Sequence, residues 1–355
     1  MLDQRLAYVL KRLSGQRPVL NFEKDCDDTL ELAPARTIIR PAGIMLPGQI
    51  ERARYAMPST TLEFQKSVAS GGSVSVPPTR VQTLRRARIE KASIYVSGKR
   101  KPLTGMGILK EVGETRRADL RTISRGLLVS TRQGLTYFGD WLFENSSRVL
   151  LAEELGEHPI SMIRTPPYGH GAHYDQHLQL NYQKIERAVV SELLVVEDWG
   201  HHPEKAARYR VLRDRARASK GRDKGHDVFV VRGRSGQMRY LLNEDACVQW
   251  ARERNFSIID PTKMTVAELL HELRDARCVA GVEGSGLLHG LMAMAPDGFL
   301  LAIVAADRFV VGSKEYADVI DIPVALVVAD KGDLNGFEVD IAELNATYEL
   351  ALTSA

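Results

Sequence analysis

No run in this sequence reaches the ~18 consecutive apolar residues that a membrane helix needs, and no tract is of low complexity. A membrane span and a disordered chain are therefore poor descriptions of it. Three cysteines, Cys26, Cys247 and Cys278, show no CxxC pairing, which argues against a zinc ribbon or a dithiol centre. They are expected to be reduced residues of the core. GxxxxGK[ST] is missing, as is GxGxxG followed by a ribose-binding acid, so neither common nucleotide-binding fingerprint applies. Lys and Arg total 48 against 45 acids, and a net charge of +3 is too small to argue for nucleic acid. The segment from Arg80 to Lys101 is locally basic but has only Tyr95 as an interleaved aromatic, so stacking on bases has little support.

With 355 residues, 44% of them apolar, the chain is long enough for two cores rather than one. Its first residues, MLDQRLAYVLKRL, place Leu2, Leu6, Val9, Leu10 and Leu13 on one helical face with basic residues opposite. That pattern is neither a signal peptide nor a span. Docking on its own domain is the expected use of this helix, in a cytoplasmic protein, although peripheral contact with the inner membrane surface is compatible with it.

The polar stretch from Ala218 to Gly225 lacks apolar periodicity and marks the expected boundary between residues 1–220 and 221–335. Before it, strand-like runs such as Thr37 to Arg40, Ser93 to Val96, Leu127 to Ser130 and Leu193 to Val196 are mixed with helices, and GGSVSVPP from Gly71 to Pro78 reads as turn or loop. After it, strand and helix alternate: strand Val228 to Val231, helix from Asn243, strand Ser257 to Ile259, helix Thr265 to Arg274, strand Cys278 to Val282, helix from Gly286, strand Phe299 to Val304. Thr265 and Glu268 stand at capping-box spacing. Such alternation predicts a parallel sheet whose ligands bind at the carboxyl ends of the strands. A last helix, Ile341 to Leu352, is expected to pack back on the first half.

Two strand ends favour phosphate. Arg232, Arg234 and Arg239 follow the first strand, and Arg offers forked hydrogen bonds to phosphate oxygens. Gly284-Ser285-Gly286 opens the helix after a neighbouring strand, where small residues let a ligand approach backbone N–H groups and the positive end of the dipole. Asn243 and Glu244 are expected to join these residues at the ligand, although the arginines also read as a surface cluster paired with Glu244 and Asp245, and Asn243 as the N-cap of the helix holding those acids. Glu283 would repel a phosphate, so beside a nucleotide it would meet sugar hydroxyls or act as a base. His170, His173 and His177 have helical spacing, but Pro166, Pro167, Gly169 and Gly171 favour a polar substrate loop over a zinc site.

These ordered motifs resemble glycosyltransferase family 61, which includes capsular polysaccharide proteins and plant xylosyltransferases. The similar segments are VVRGRSGQMRYLLNED, NFSIIDP, MTVAELLHELRDARCVAG and VEGSGLLHGLMAMAPDG, with TYFGDWLFENSSRVLLAEELG and RPAGIMLPGQIERARYA upstream. Together they cover about Arg40 to Ile303. The resemblance implies an α/β, GT-B-like architecture, with two Rossmann-like domains facing across a cleft. It also implies inverting transfer from a nucleotide sugar, most often a UDP-sugar, to a saccharide or glycolipid hydroxyl in capsule or envelope synthesis, with no metal; no nucleic-acid partner is expected from the charge and the sparse aromatics. Asp140 stands where the family has the histidine of Gly-His-Trp, and Glu283 where it has the histidine before Gly-Ala-Gly, while Glu144 keeps the family's acid. Asp140 is the first candidate for the general base, Glu283 the second, and His170 or His173 the third, with Trp141 on the acceptor side. Asp140 also reads as a helix N-cap. The two altered positions leave open a degenerate member that holds a nucleotide sugar or glycan without turnover.

Overall fold

A computed structural model describes residues 18–103, 121–218, 221, 225–234, 240–329, 331–333 and 336–354. The amphipathic N-terminal helix, Arg239 and most of the polar stretch at 218–225 lie outside the described residues. The chain forms two compact units: one from the N-terminus to Arg36 and from Pro77 to Gly200, the other from Thr37 to Val76 and from His201 to the C-terminus.

In the first unit, Thr79–Glu90, Ser93–Val96 and Lys99–Pro102 form an antiparallel meander, and Asp28–Ala33 pairs with Thr79–Glu90 as well. Thr79–Glu90 also runs antiparallel to Arg187–Glu197, which begins a parallel set continuing through Arg121–Leu128, Pro159–Met162 and Gln183–Ile185. One face buries Leu84, Ile89, Leu128, Ile160 and Val195, and the other packs Leu127, Val129 and Leu194 against Val149 and Ala152. The last two come from the helix Ser146–Glu154. From Arg121–Leu128 the chain moves to one side of the sheet and later returns on the other side as Arg187–Glu197, so the strand order reverses between these two.

The second unit holds a parallel five-stranded sheet in the order Ser257–Ile259, Asp227–Val230, Cys278–Val282, Phe299–Ala305 and Val324–Ala329. Every residue of Cys278–Val282 and of Val324–Ala329 is buried, as expected of parallel strands covered on both faces. The expected capping box forms at Thr265 and Glu268. Close packing has a sequence cause at Gly290, where a Cβ would stand 2.5 Å from Val279 Cγ1.

Three expectations need correction. The division falls after Gly200 rather than near residue 220, because the helix Pro203–Arg217 belongs to the second unit, where buried Arg213 donates to the carbonyls of Leu291 and Met294. Residues 37–76 also join that unit, and Ile44 exchanges backbone hydrogen bonds with Val324 and Leu326. The loop expected over Gly71 to Pro78 contains the strand Gly72–Val76, which pairs with Arg36–Arg40 in a two-stranded sheet, and its two prolines follow the strand. Finally, the helix Ile341–Ser354 packs on the second unit's own core through Leu344, Tyr348 and Ala351, and it meets the first half of the sequence where Glu343 accepts from Arg52 and Gln49, both in the segment that joins this unit.

Candidate functional site

The second sheet reverses its strand order between Asp227–Val230 and Cys278–Val282, since the chain first adds Ser257–Ile259 on one side and then crosses to the other. A crevice outside the carboxyl ends of such neighbouring strands is the general ligand site of open α/β sheets. Arg232 leaves one of these ends and Glu283-Gly284-Ser285 the other. The sequence pairing of these two turns is therefore reproduced in space.

Each residue has a definite task there. Gly284 has φ +136°, which glycine adopts without strain, and it gives the helix Ser285–Ala293 no side-chain cap. The N-terminus of that helix thus faces the crevice as an anion-favouring dipole end. At its other end, Arg213 satisfies the carbonyls of Leu291 and Met294. Arg232 is half-buried, and its pKa is lowered first by that burial and next by the positive charge of Arg308. Arg308 ends the short turn Ala306–Arg308, which follows the adjacent strand Phe299–Ala305. Two like charges thus oppose one another beyond the carboxyl ends of the strands, with Glu244 and Glu283 acting on Arg232 in the other direction, and a forked guanidinium there suits an anionic ligand.

Arg308 was not singled out from the sequence. Its signal was available, because the cradle argument applies to every strand end and the Phe299–Ala305 strand runs into AADR.

Other expected ligands have structural duties. Glu244 accepts from the backbone N–H groups of Arg232, at 2.7 Å, and Gly233, at 2.9 Å, and so shapes the first turn. Asn243 is not a side-chain N-cap; its amide donates to the Val339 carbonyl at 2.8 Å and accepts from the Val339 N–H at 3.2 Å. Arg234 is exposed, with its guanidinium 5.8 Å from the ring centre of Tyr240. Glu283 is buried and accepts from the N–H of Ser313, at 3.0 Å, and from its hydroxyl. Ser313 lies in the first turn of Gly312–Val319, so this carboxylate answers a helix dipole and is not presented as a base.

In the first unit, Asp140 is not an N-cap. Helical backbone begins at Phe138, and Asp140, at φ −66° and ψ −35°, leads into a π turn at Trp141–Asn145. Such π turns are frequent at functional sites. Around it gather aromatic rings: Phe138 stands 5.7 Å from Trp141, 5.5 Å from Tyr168, 5.9 Å from Tyr174 and 6.3 Å from His170. Burial, with a smaller contribution from the negative charge of Asp140, pushes Tyr168 up to about 12, while Arg164 acts in the opposite direction. Asp140, Trp141 and His170 therefore share one neighbourhood.

His173 does not share it; it lies on the exposed side of the helix Gly171–His177, which begins where the loop through Pro166, Pro167 and Gly169 ends. Among the described residues, no group of three or more His, Cys, Asp or Glu side chains is arranged to hold a metal ion. No described helix is long and apolar enough to cross a membrane. Cys247 and Cys278 are buried as expected, and burial raises both thiols, Cys247 to about 12, while Cys26 is half-buried.

Residues 138–300 match the profile of the family Glycosyltransferase 61. The match begins just before Asp140 and includes Arg232 and Glu283 to Gly286, but it ends before Arg308. Over this segment the chain is similar to that family, which supports a glycosyltransferase activity. No curated protein matches the chain.

Proposed function

We propose that the chain is an inverting, metal-independent glycosyltransferase of family 61 that moves a sugar from a UDP-sugar to a saccharide or glycolipid hydroxyl in capsule or envelope synthesis. Its two units would be the donor and acceptor halves of a GT-B enzyme. The observation that carries the reading is the convergence of half-buried Arg232, the charge of Arg308 and the uncapped helix start at Gly284 on the reversal point of the second sheet. Diphosphate oxygens fit that chemistry. Hydrogen bonds to charged groups contribute about 1.5–3 kcal/mol each, so two arginines can stabilise a departing nucleoside diphosphate without a cation.

The base is assigned to Asp140 and the acceptor to the neighbouring rings. Sugars present apolar C–H faces that suit aromatic surfaces, and a half-buried carboxylate beside them can take the hydroxyl proton. Incubation with a panel of nucleotide sugars, following release of the nucleoside diphosphate, tests this reading. Indifference to every nucleotide would remove it.

A second reading is favoured by one observation. The family histidine is replaced by Glu283, which is committed to Ser313, so the chain would hold a nucleotide sugar or glycan without turnover. UDP binding without transfer to any acceptor, and without an effect of Asp140→Asn, would select it.

A further inference from the structure

The helical run that carries Asp140 continues into a charged pair that the reading above leaves unused. Arg148 lies in Ser146–Glu154 and is 2% exposed, and none of its three guanidinium nitrogens has a hydrogen-bond acceptor among the described residues. Such orphaned donors are rare in protein interiors, where buried polar groups nearly always find partners. Glu144, also buried, places Oε2 4.0 Å from Arg148 Nη2, which gives attraction between charges but is too long for a hydrogen bond. Over the guanidinium lies the indole of Trp199, 5.1 Å from Cζ to the ring centre, and this indole is 50% exposed.

The location adds a second argument. Trp199 follows the carboxyl end of Arg187–Glu197, one of the two strands between which the first sheet reverses its order. Asp140, Glu144 and Arg148 recur at intervals of four residues along one helical run, a spacing that keeps side chains near one face.

Charge decides what is missing. Glu144 already balances Arg148, so an added anion would bring a second negative charge to a buried carboxylate. A neutral hydroxyl pair suits both groups: one oxygen accepts from the guanidinium while its neighbour donates to the carboxylate, bridging a gap that the two side chains do not close. An aromatic ring beside them offers a face for the pyranose.

We infer that Glu144, Arg148 and Trp199 form a saccharide subsite that takes a vicinal diol of a neutral pyranose, with Trp199 turning away from the guanidinium to stack on the sugar. It rests on the assignment of the first unit as the acceptor half, and it names the acceptor class as a neutral sugar with adjacent free hydroxyls.

Saturation-transfer NMR on the full chain tests it, with methyl mannoside and methyl glucoside as probes, their fully O-methylated forms as controls, and glucuronate and inorganic phosphate as anions. At least one methyl glycoside should bind, its O-methylated form should not, and the anions should bind more weakly. Arg148→Lys keeps the charge but not the fork and should weaken the glycoside roughly tenfold. Trp199→Leu, at a half-exposed position, should weaken it severalfold in a folded protein. Absence of glycoside binding, tighter binding of glucuronate or phosphate, or unchanged affinity in both variants would overturn the inference. Thermal shifts with UDP on the same samples separate the two claims. Glycoside binding without UDP binding removes the transferase reading and keeps the subsite, whereas UDP binding without glycoside binding removes the subsite alone.

Discussion

The carboxylate of Glu283 accepts two hydrogen bonds from Ser313, one from its backbone N–H at 3.0 Å and one from its hydroxyl. A residue at the mouth of a phosphate-favouring turn is thereby tied to the start of the next helix. Its negative charge answers the start of that helix and also acts on Arg232.

Glu283→Gln should therefore destabilise the protein by about 1–3 kcal/mol, the usual cost of weakening a buried charged hydrogen bond, without moving the pH optimum of sugar transfer. Urea unfolding together with a pH–rate profile checks both parts. A shifted pH optimum with unchanged stability would return Glu283 to the role of base.

Asp140→Asn should act in the opposite way. Loss of a general base lowers turnover by roughly 10²–10⁴-fold, while affinity for UDP stays as it was. Initial rates and isothermal titration on the same preparation decide it, and a rate within a few-fold of the parent protein would remove Asp140 from the mechanism.

Arg213 supports the helix Ser285–Ala293 from its far end. Arg213→Met leaves the carbonyls of Leu291 and Met294 without their donor, at about 1–3 kcal/mol for each. A lower urea midpoint is expected, and an unchanged midpoint would show that these bonds are replaced at no cost.

Acid should weaken the second unit through His201. Burial, reinforced by the charges of Arg40, Lys205 and Lys314, pushes this group down to about 4 from its ordinary 6.5. Between those values the unfolded chain binds the proton and the folded one does not, so stability is full above pH 6.5 and falls as pH drops toward 4. The loss is at most about 3–4 kcal/mol at 1.36 kcal/mol per pKa unit. His201→Gln should flatten that part of the stability–pH curve; an identical acid slope would contradict the assignment.

The second unit was largely legible because its strands are short continuous apolar runs separated by amphipathic helices, and parallel strands covered on both faces must read that way. The two phosphate-favouring turns were found by position for the same reason. Long-range partners were not legible. Thr79–Glu90 pairs with Arg187–Glu197, about a hundred residues later, and its mixed polar sequence follows burial by neighbours that no local period reveals. Residues 37–76 joined the second unit through contacts such as Ile44 with Val324, equally remote in sequence. Glu244, Asn243 and Glu283 were legible as site-edge residues but not in their tasks, since each is defined by a backbone N–H or carbonyl that only the folded chain supplies. Arg148 and Trp199 are separated by fifty-one positions, and nothing in either neighbourhood of sequence links them.

UDP affinity of Arg232→Ala and Arg308→Ala, measured by isothermal titration against the parent protein, tests the central claim most directly. Each substitution should weaken binding by roughly tenfold or more, the equivalent of about 1.5–3 kcal/mol for a charge-assisted contact. Unchanged affinity in both would show that the reversal point of the second sheet is not where a nucleoside diphosphate binds.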